Sequence, residues 1–307
     1  MQTTNTVLMV RPVAFSYNAQ TALNNAFQQK GIPEDESQKE ALKEFDSYVV
    51  MLKEAGINVL VVEDTLTPHT PDSIFPNNWF STHNDKTVGS KRMVLYPMFA
   101  QNRRMERKQG VFEAIKHFDN NEQREVIDLT KYENDNKFLE GTGSMILDRE
   151  NKIIYACSSI RTNEDVLDDL ADKLGYKYFL FEANDSNGAP IYHTNVMMCI
   201  GTAYAIVCLD SITNIDEREH LIELIEESGK DIIEISLEQM YEFAGNMLEL
   251  KDKEGNPVLI MSARAKASLD NDQLERLNSY YKIISPDLEF IEKNGGGSAR
   301  CMLAEIF

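Results

Sequence analysis

The sequence predicts a five-bladed α/β propeller, a ring of pseudo-fivefold strand–strand–helix–strand units. Three observations carry this. Four successive segments share one order of two apolar strands, a polar-faced helix and a third strand. The parts of a fifth such unit are split between the first and last stretches of the 307-residue chain. Each unit alone leaves an apolar face that only a neighbouring unit can cover.

The elements follow in order. "TVLMVRP" reads as a strand, then helical stretches from about Asn18 to Gln29 and from Ser37 to Ala55 lead to the strand "INVLVV". The first complete unit has "NWFSTH" and "RMVLYP", a helix from Asn102 to His117, and "REVIDL". The second has "GSMILD" and "KIIYACS", a helix from Asn163 to Leu174, and "YKYFLFE". The third has "NVMMCIG" and "AYAIVCL", a helix from about Asp216 to Glu227, and "KDIIEIS". The fourth has "NMLELKD" and "PVLIMS", a helix from about Asp272 to Tyr280, and "YKIIS". Short apolar runs bounded by Gly, Asn, Asp and Pro are strand signals, and the longer charged stretches between them are helical. "ARCMLAEIF" supplies the missing strand of the fifth unit if it pairs with "TVLMVRP". Residues 1–307 are therefore expected to form one catalytic domain, its fifth unit made from both termini.

Composition narrows the function. Hydrophobic residues make up 42% of the chain, enough for a packed core. The net charge is −19, which argues against nucleic acid or an anionic membrane as partner, because both demand a basic face. The opening "MQTTNTVLMVRP" lacks a basic n-region and a long apolar run, so a cytoplasmic protein is expected. Self-association is left open. Cys157, Cys199 and Cys208 lie in apolar strand-like runs and read as buried thiols in a reducing compartment. Cys301 differs. It follows Gly295, Gly296, Gly297 and Arg300, a tight turn with a cation beside the thiol.

Equivalent positions of a ring converge on its centre. Each unit begins its first strand near the axis, at Asn78, at Glu140 and Gly143, at His193 and Asn195, at Asn246, and at Cys301. Cys301, His193 and Glu140 should therefore meet: a nucleophile, a proton carrier and an orienter of the imidazole, the parts of covalent catalysis. No metal is expected, since none of the five histidines pairs at HxxxH or HExxH spacing. No organic cofactor is expected either: "EGTGS" lacks the full dinucleotide fingerprint, and "GGGS" is not followed by Gly-Lys-Ser/Thr.

The motifs "TPDSIFPNNW", "YPMFAQNRRMERK", "FLEGTGS", "YHTNVMMC", "FAGNMLEL" and "GGGSARCM" together resemble the pentein superfamily of guanidine-modifying enzymes, over nearly the whole chain. Arginine deiminases, dimethylarginine hydrolases and amidinotransferases belong to it. The set as a whole most resembles the bacterial amidinotransferase-like branch associated with citrulline use. The resemblance implies that Cys301 attacks the central carbon of a guanidino or ureido group, that His193 moves the proton, and that carboxylates hold the substrate nitrogens.

The departures from that pattern shape the expectation. Deiminases carry an aspartate where this chain has Asn78 and another where it has Asn195, and the aspartate of "E-G-G-D" gives way to neutral residues in "EGTGS"; Asp72 remains. A guanidinium has only N–H donors and suits two ionised carboxylates. A ureido group is neutral and carries one carbonyl acceptor, which suits an amide that offers donor and acceptor together. Asp72, Asn78, Asn195 and Asn246 are thus candidate substrate contacts. Arg300 and the Arg103, Arg104 and Arg107 cluster are candidates for the substrate carboxylate, with Arg161 as a further one. The expected reaction is hydrolysis of citrulline to ornithine, ammonia and carbon dioxide through an S-carbamoyl intermediate. The alternatives are action on a guanidino substrate, by hydrolysis or amidino transfer, and a non-catalytic binding protein on the same fold.

Overall fold

The computed structural model describes residues 1–25, 27–29, 33–85 and 90–307. The described residues form five three-stranded sheets arranged as blades. The chain opens with β1 (Thr6–Arg11) and, after helix Glu34–Glu54, lays β2 (Asn58–Glu63) parallel to it. The next blade is β3 (Phe80–Asp85), β4 (Ser90–Leu95) and β5 (Glu125–Asp128). Then come β6 (Ile146–Asp148), β7 (Ile153–Cys157) and β8 (Lys177–Phe181), followed by β9 (Met198–Ile200), β10 (Tyr204–Val207) and β11 (Asp231–Glu234). The last whole blade has β12 (Leu248–Lys251), β13 (Pro257–Ile260) and β14 (Lys282–Ile284). Finally β15 (Ala304–Glu305) lies antiparallel to β1, with Val7 opposite Glu305 and Leu8 opposite Ala304.

Every blade repeats one pattern: an antiparallel inner pair, then a crossover to a parallel outer strand. Burial follows. The inner strands β6, β9 and β10 are buried at every residue, as their near-continuous apolar sequences require. The outer strands β2, β5 and β11 expose several of their residues. Apolar clusters lie between neighbouring blades; one joins Val94 of β4 to Leu147 and Ile154 of the next blade and Leu170 of its helix. Among the described residues no helix is long and apolar enough to cross a membrane.

Three expectations are corrected. The stretch from Asn18 to Asn25 forms turns, not a helix; Ala26 lies outside the described residues. Its polar groups are committed elsewhere, Asn18 Nδ2 and Thr21 Oγ1 both donating to Asp72. The helix expected over 102–117 is two helices, Gln101–Arg104 and Gln109–Phe118. It breaks because Arg103 turns inward to Glu106 and Asn78, while Lys108 is tied to Asp64 and Thr70. The axial residues are not the first residues of strands. Pro76–Asn78, Thr194–Val196 and Ala299–Met302 are single 3₁₀ turns, and Gly141–Ser144 is one α-helical turn. Each precedes an inner strand, and the turns pack on one another around the axis.

Candidate active site

Cys301 sits on the Ala299–Met302 turn and is 7% exposed. Its sulfur accepts N–H bonds from Asn246 Nδ2 at 3.2 Å and Asn195 Nδ2 at 3.5 Å. Asn246 also donates to the Asn195 carbonyl and accepts from the Arg300 amide, so one side chain ties two turns to the thiol.

His193 directly precedes the Thr194–Val196 turn and is buried. Its Nε2 lies 2.8 Å from Glu140 Oε2. A carboxylate only accepts, so Nε2 carries the proton and Nδ1 keeps the lone pair in the neutral ring. The imidazole is held down at about 4: burial lowers it most, the Glu140 hydrogen bond and charge pull it up, and Arg161 and Arg103 lower it. Glu140 is fully buried. Burial alone would raise its carboxyl, but the Arg161 guanidinium, the His193 hydrogen bond and Arg103 hold it well below the usual carboxylate range. Its other oxygen accepts from the Phe99 amide.

This gives a pH prediction. The unfolded chain protonates His193 near its ordinary value of 6.5 and the folded chain only near 4. Stability from this group is present above pH 6.5 and is lost as pH falls toward 4, by up to about 3 kcal/mol. The urea midpoint of the parent relative to that of His193→Gln should fall between pH 6.5 and 5. The buried carboxyls of Glu44 and Glu106, raised to about 7 chiefly by burial, stabilise as pH falls over the same range, but they do so in both proteins. Glu140 contributes only below its unfolded value of 4.5, outside that range.

A narrow cavity brings Cys301 and His193 together with Asp72, Asn78, Arg103 and Arg161. Asn78 Oδ1 accepts from Arg103 Nη1 at 2.7 Å, and its Nδ2 is buried with no hydrogen-bond partner. Asp72 accepts on Oδ2 from Asn18 and Thr21, while Oδ1 is unpaired. Burial raises the Asp72 carboxyl despite nearby Arg103 and its two hydrogen-bond donors. Arg161 bridges Asn24, the Thr21 carbonyl and Glu140. The glycines of "GGGS" form one wall. A Cβ on Gly295 would lie 2.7 Å from the Phe75 ring, and Gly296 has φ +63° with its carbonyl accepting from Tyr192 and Asn25.

Three arginines proposed from the sequence, Arg300, Arg104 and Arg107, point elsewhere. Arg300 turns toward the Leu303 carbonyl and Glu305, away from the cavity. Arg104 donates to the Met98 carbonyl and lies near Glu133, outside the cavity lining. Asn195 and Asn246 reach the sulfur but do not line the cavity. Arg107 is bonded to Glu133 and the Tyr96 carbonyl. Thr21, Asn25 and Tyr192 also line the cavity and were not anticipated; only the position of Tyr192, beside His193, hinted at a role. Among the described residues no group of His, Cys, Asp and Glu is placed to hold a metal ion.

Five three-stranded blades and an axial Cys–His–Glu constellation place the chain in the pentein superfamily, a class of enzymes that act on guanidino carbon–nitrogen bonds. Within it the chain belongs to the family described as N,N dimethylarginine dimethylhydrolase, eukaryotic, whose model matches residues 11–307. Among solved structures it is similar to the N-terminal domain of ArgZ bound to substrate, an arginine dihydrolase of the cyanobacterial ornithine–ammonia cycle, with 19% identity, TM-score 0.72, and coverage of 98% of this chain and 97% of that one. It is also similar to the dimethylarginine dimethylhydrolase of Pseudomonas aeruginosa complexed with citrulline, at 15% identity and TM-score 0.66, covering 99% and 100% of the two chains. Unliganded AgrE shares 20% identity at TM-score 0.73, covering 98% of this chain and 39% of that one. A search of curated proteins finds no match.

Proposed function

We propose that the protein, acting as one catalytic domain, hydrolyses the ureido group of citrulline to ornithine, ammonia and carbon dioxide. The observation that carries this is the unpaired Asn78 Nδ2 in the cavity. Arg103 can only donate, so it fixes Oδ1 toward itself and leaves the N–H₂ facing the cavity. A guanidinium would set N–H against N–H there, whereas a ureido oxygen accepts the bond. Asp72 Oδ1 is then the acceptor for the substrate's terminal amide.

The steps balance without a cofactor. The Cys301 sulfur attacks the ureido carbon and its proton passes to His193 Nδ1. Asn78 Nδ2 holds the oxyanion of the tetrahedral intermediate. His193 delivers the proton to the departing δ-nitrogen, and ornithine leaves an S-carbamoyl group on Cys301. Water attacks that group with His193 as base, releasing carbamate, which decays to ammonia and carbon dioxide. Glu140 orients the imidazole and stabilises its charged form. Asn195 and Asn246 hold the sulfur in line. Arg103 holds Asn78 and Arg161 holds Glu140 in place.

A second reading, hydrolysis of methylated arginine or arginine, is favoured by the family match and by Asp72. Ammonia, ornithine, citrulline and methylamines released from citrulline, arginine and dimethylarginine decide between them. The citrulline reading expects ornithine and a kcat/KM for citrulline at least about 100-fold above the guanidino compounds. Faster turnover of either guanidino compound overturns it.

Gly143 gives a further prediction. A Cβ there would overlap Asn78 Nδ2 and lie 2.8 Å from His193 Nδ1. Gly143→Ala should lower kcat/KM by at least about 100-fold through sub-ångström displacement of both groups. The stability cost should be about 1–3 kcal/mol. Steady-state kinetics beside thermal melts would check both.

A further inference from the structure

The inner strands lead away from the Cys301 cavity to the other end of the propeller: from Asn78 to Asn84, Gly143 to Arg149, Asn246 to Lys251 and Cys301 to Ile306. Six residues of strand cover about 20 Å. At that far end lies a second cavity of about 800 Å³, in the size range of small-molecule pockets. Its charge opposes that of the chain. Among the described lining residues Arg92, Arg149, Lys152 and Lys251 face one acid, Glu150, in a protein of net charge −19. Glu150 itself faces the Met1 amino group at 3.9 Å.

Arg149 is the central group. Its side chain is 7% exposed and its guanidinium lies 4.0 Å from the centre of the Phe307 ring. Nη1 donates to His83 Nδ1 at 3.2 Å, and Nη2 is buried without a hydrogen-bond acceptor, the nearest carboxylate being Glu305 at 3.6 Å. Burial and the charges of Arg149, Arg92 and Arg124 keep His83 neutral, so it accepts from Arg149 and adds no competing charge. Phe118, Tyr176 and Phe307 give the same cavity aromatic walls. Cations behind aromatic rings are the complement of an anionic group on a flat apolar body.

We propose that this distal cavity is a binding site for a planar anionic small molecule. Its phosphate or carboxylate group lies against Arg149, Arg92 and Lys251, and its ring lies among Phe118, Tyr176 and Phe307. The site is separate from the one that handles citrulline and stands whichever substrate Cys301 acts on.

The test is fluorescence titration of the intact protein with 8-anilinonaphthalene-1-sulfonate, with saturating citrulline present. The expected result is one saturable site, weakened at least about tenfold in Arg92→Gln/Lys251→Gln. These two are chosen over Arg149 because Arg149 also faces Glu305 on the axis. Asn84→Trp, at an exposed lining position, should obstruct the same site without removing a charge. Displacement of the probe by ATP assigns a phosphate ligand, and displacement by phenylpyruvate assigns a carboxylate one. Probe binding that is absent, indifferent to both variants, or displaced by neither anion overturns the proposal.

Discussion

Cys301→Ala is expected to reduce ornithine release from citrulline by about 10³-fold or more, with the fold intact. Within the proposed mechanism the sulfur forms the covalent bond, and among the described residues no second thiol lines the cavity. The substitution removes one sulfur from a site held chiefly by Asn246 and the turn hydrogen bonds, which remain: Cys301 N–H to the Ser298 carbonyl and Leu303 N–H to the Arg300 carbonyl. Retained melting behaviour with lost turnover is therefore the predicted pair of results. His193→Gln should fall into the same range, and the double variant should be little worse than either, because groups acting as one unit are strongly non-additive. A mass shift of one carbamoyl group on the parent protein, trapped during turnover and absent in Cys301→Ala, would identify the bond. Turnover surviving in Cys301→Ala would remove the mechanism altogether.

Asn78→Asp should exchange the preferred substrate. The new carboxylate would keep one oxygen on Arg103 Nη1 and turn the other into the space now faced by Nδ2. That oxygen would confront the ureido carbonyl with a lone pair where it had a donor. Loss of one oxyanion donor costs about 10²–10³ in kcat, roughly 3–4 kcal/mol, and the added repulsion acts in the same direction. A guanidinium gains instead, since two acceptors, the new one and Asp72 Oδ1, would then meet its N–H groups. The expected outcome is a fall in kcat/KM for citrulline of at least about 10²-fold and a rise for arginine. Parallel loss on both substrates would mean that Asn78 serves the architecture and does not read the substrate.

The propeller was legible because most of its inner strands carry short apolar runs set off by a turn and followed by a helix at the same phase; β3 is polar after Phe80. The Cys301, His193 and Glu140 grouping was legible for the same reason: repeat phase converts sequence position into position about an axis. What phase does not give is direction. On a tight turn neighbouring side chains diverge, so Cys301 faces the cavity while Arg300 faces Glu305. Arg103 and Arg104 part in the same way, one inward to Asn78 and the other toward Glu133. Asn246 was legible as an axial residue, but its partner, the sulfur, was not. The N-terminal stretch 18–25 misled because its polar groups find an acceptor in Asp72 and a donor in Arg161, about which helix propensity is silent.

The clasp of β1 and β15 joins the first and last strands, and Thr4 Oγ1 reaches the Ile306 carbonyl across a separation of 302 residues. Contacts so remote along the chain are late and slow to form. Cys301 sits three residues before β15. Within the proposed mechanism, assembly of the site therefore waits on the pairing of β15 with β1, and a chain cut between Cys301 and β15 should lose turnover although every site residue is still present.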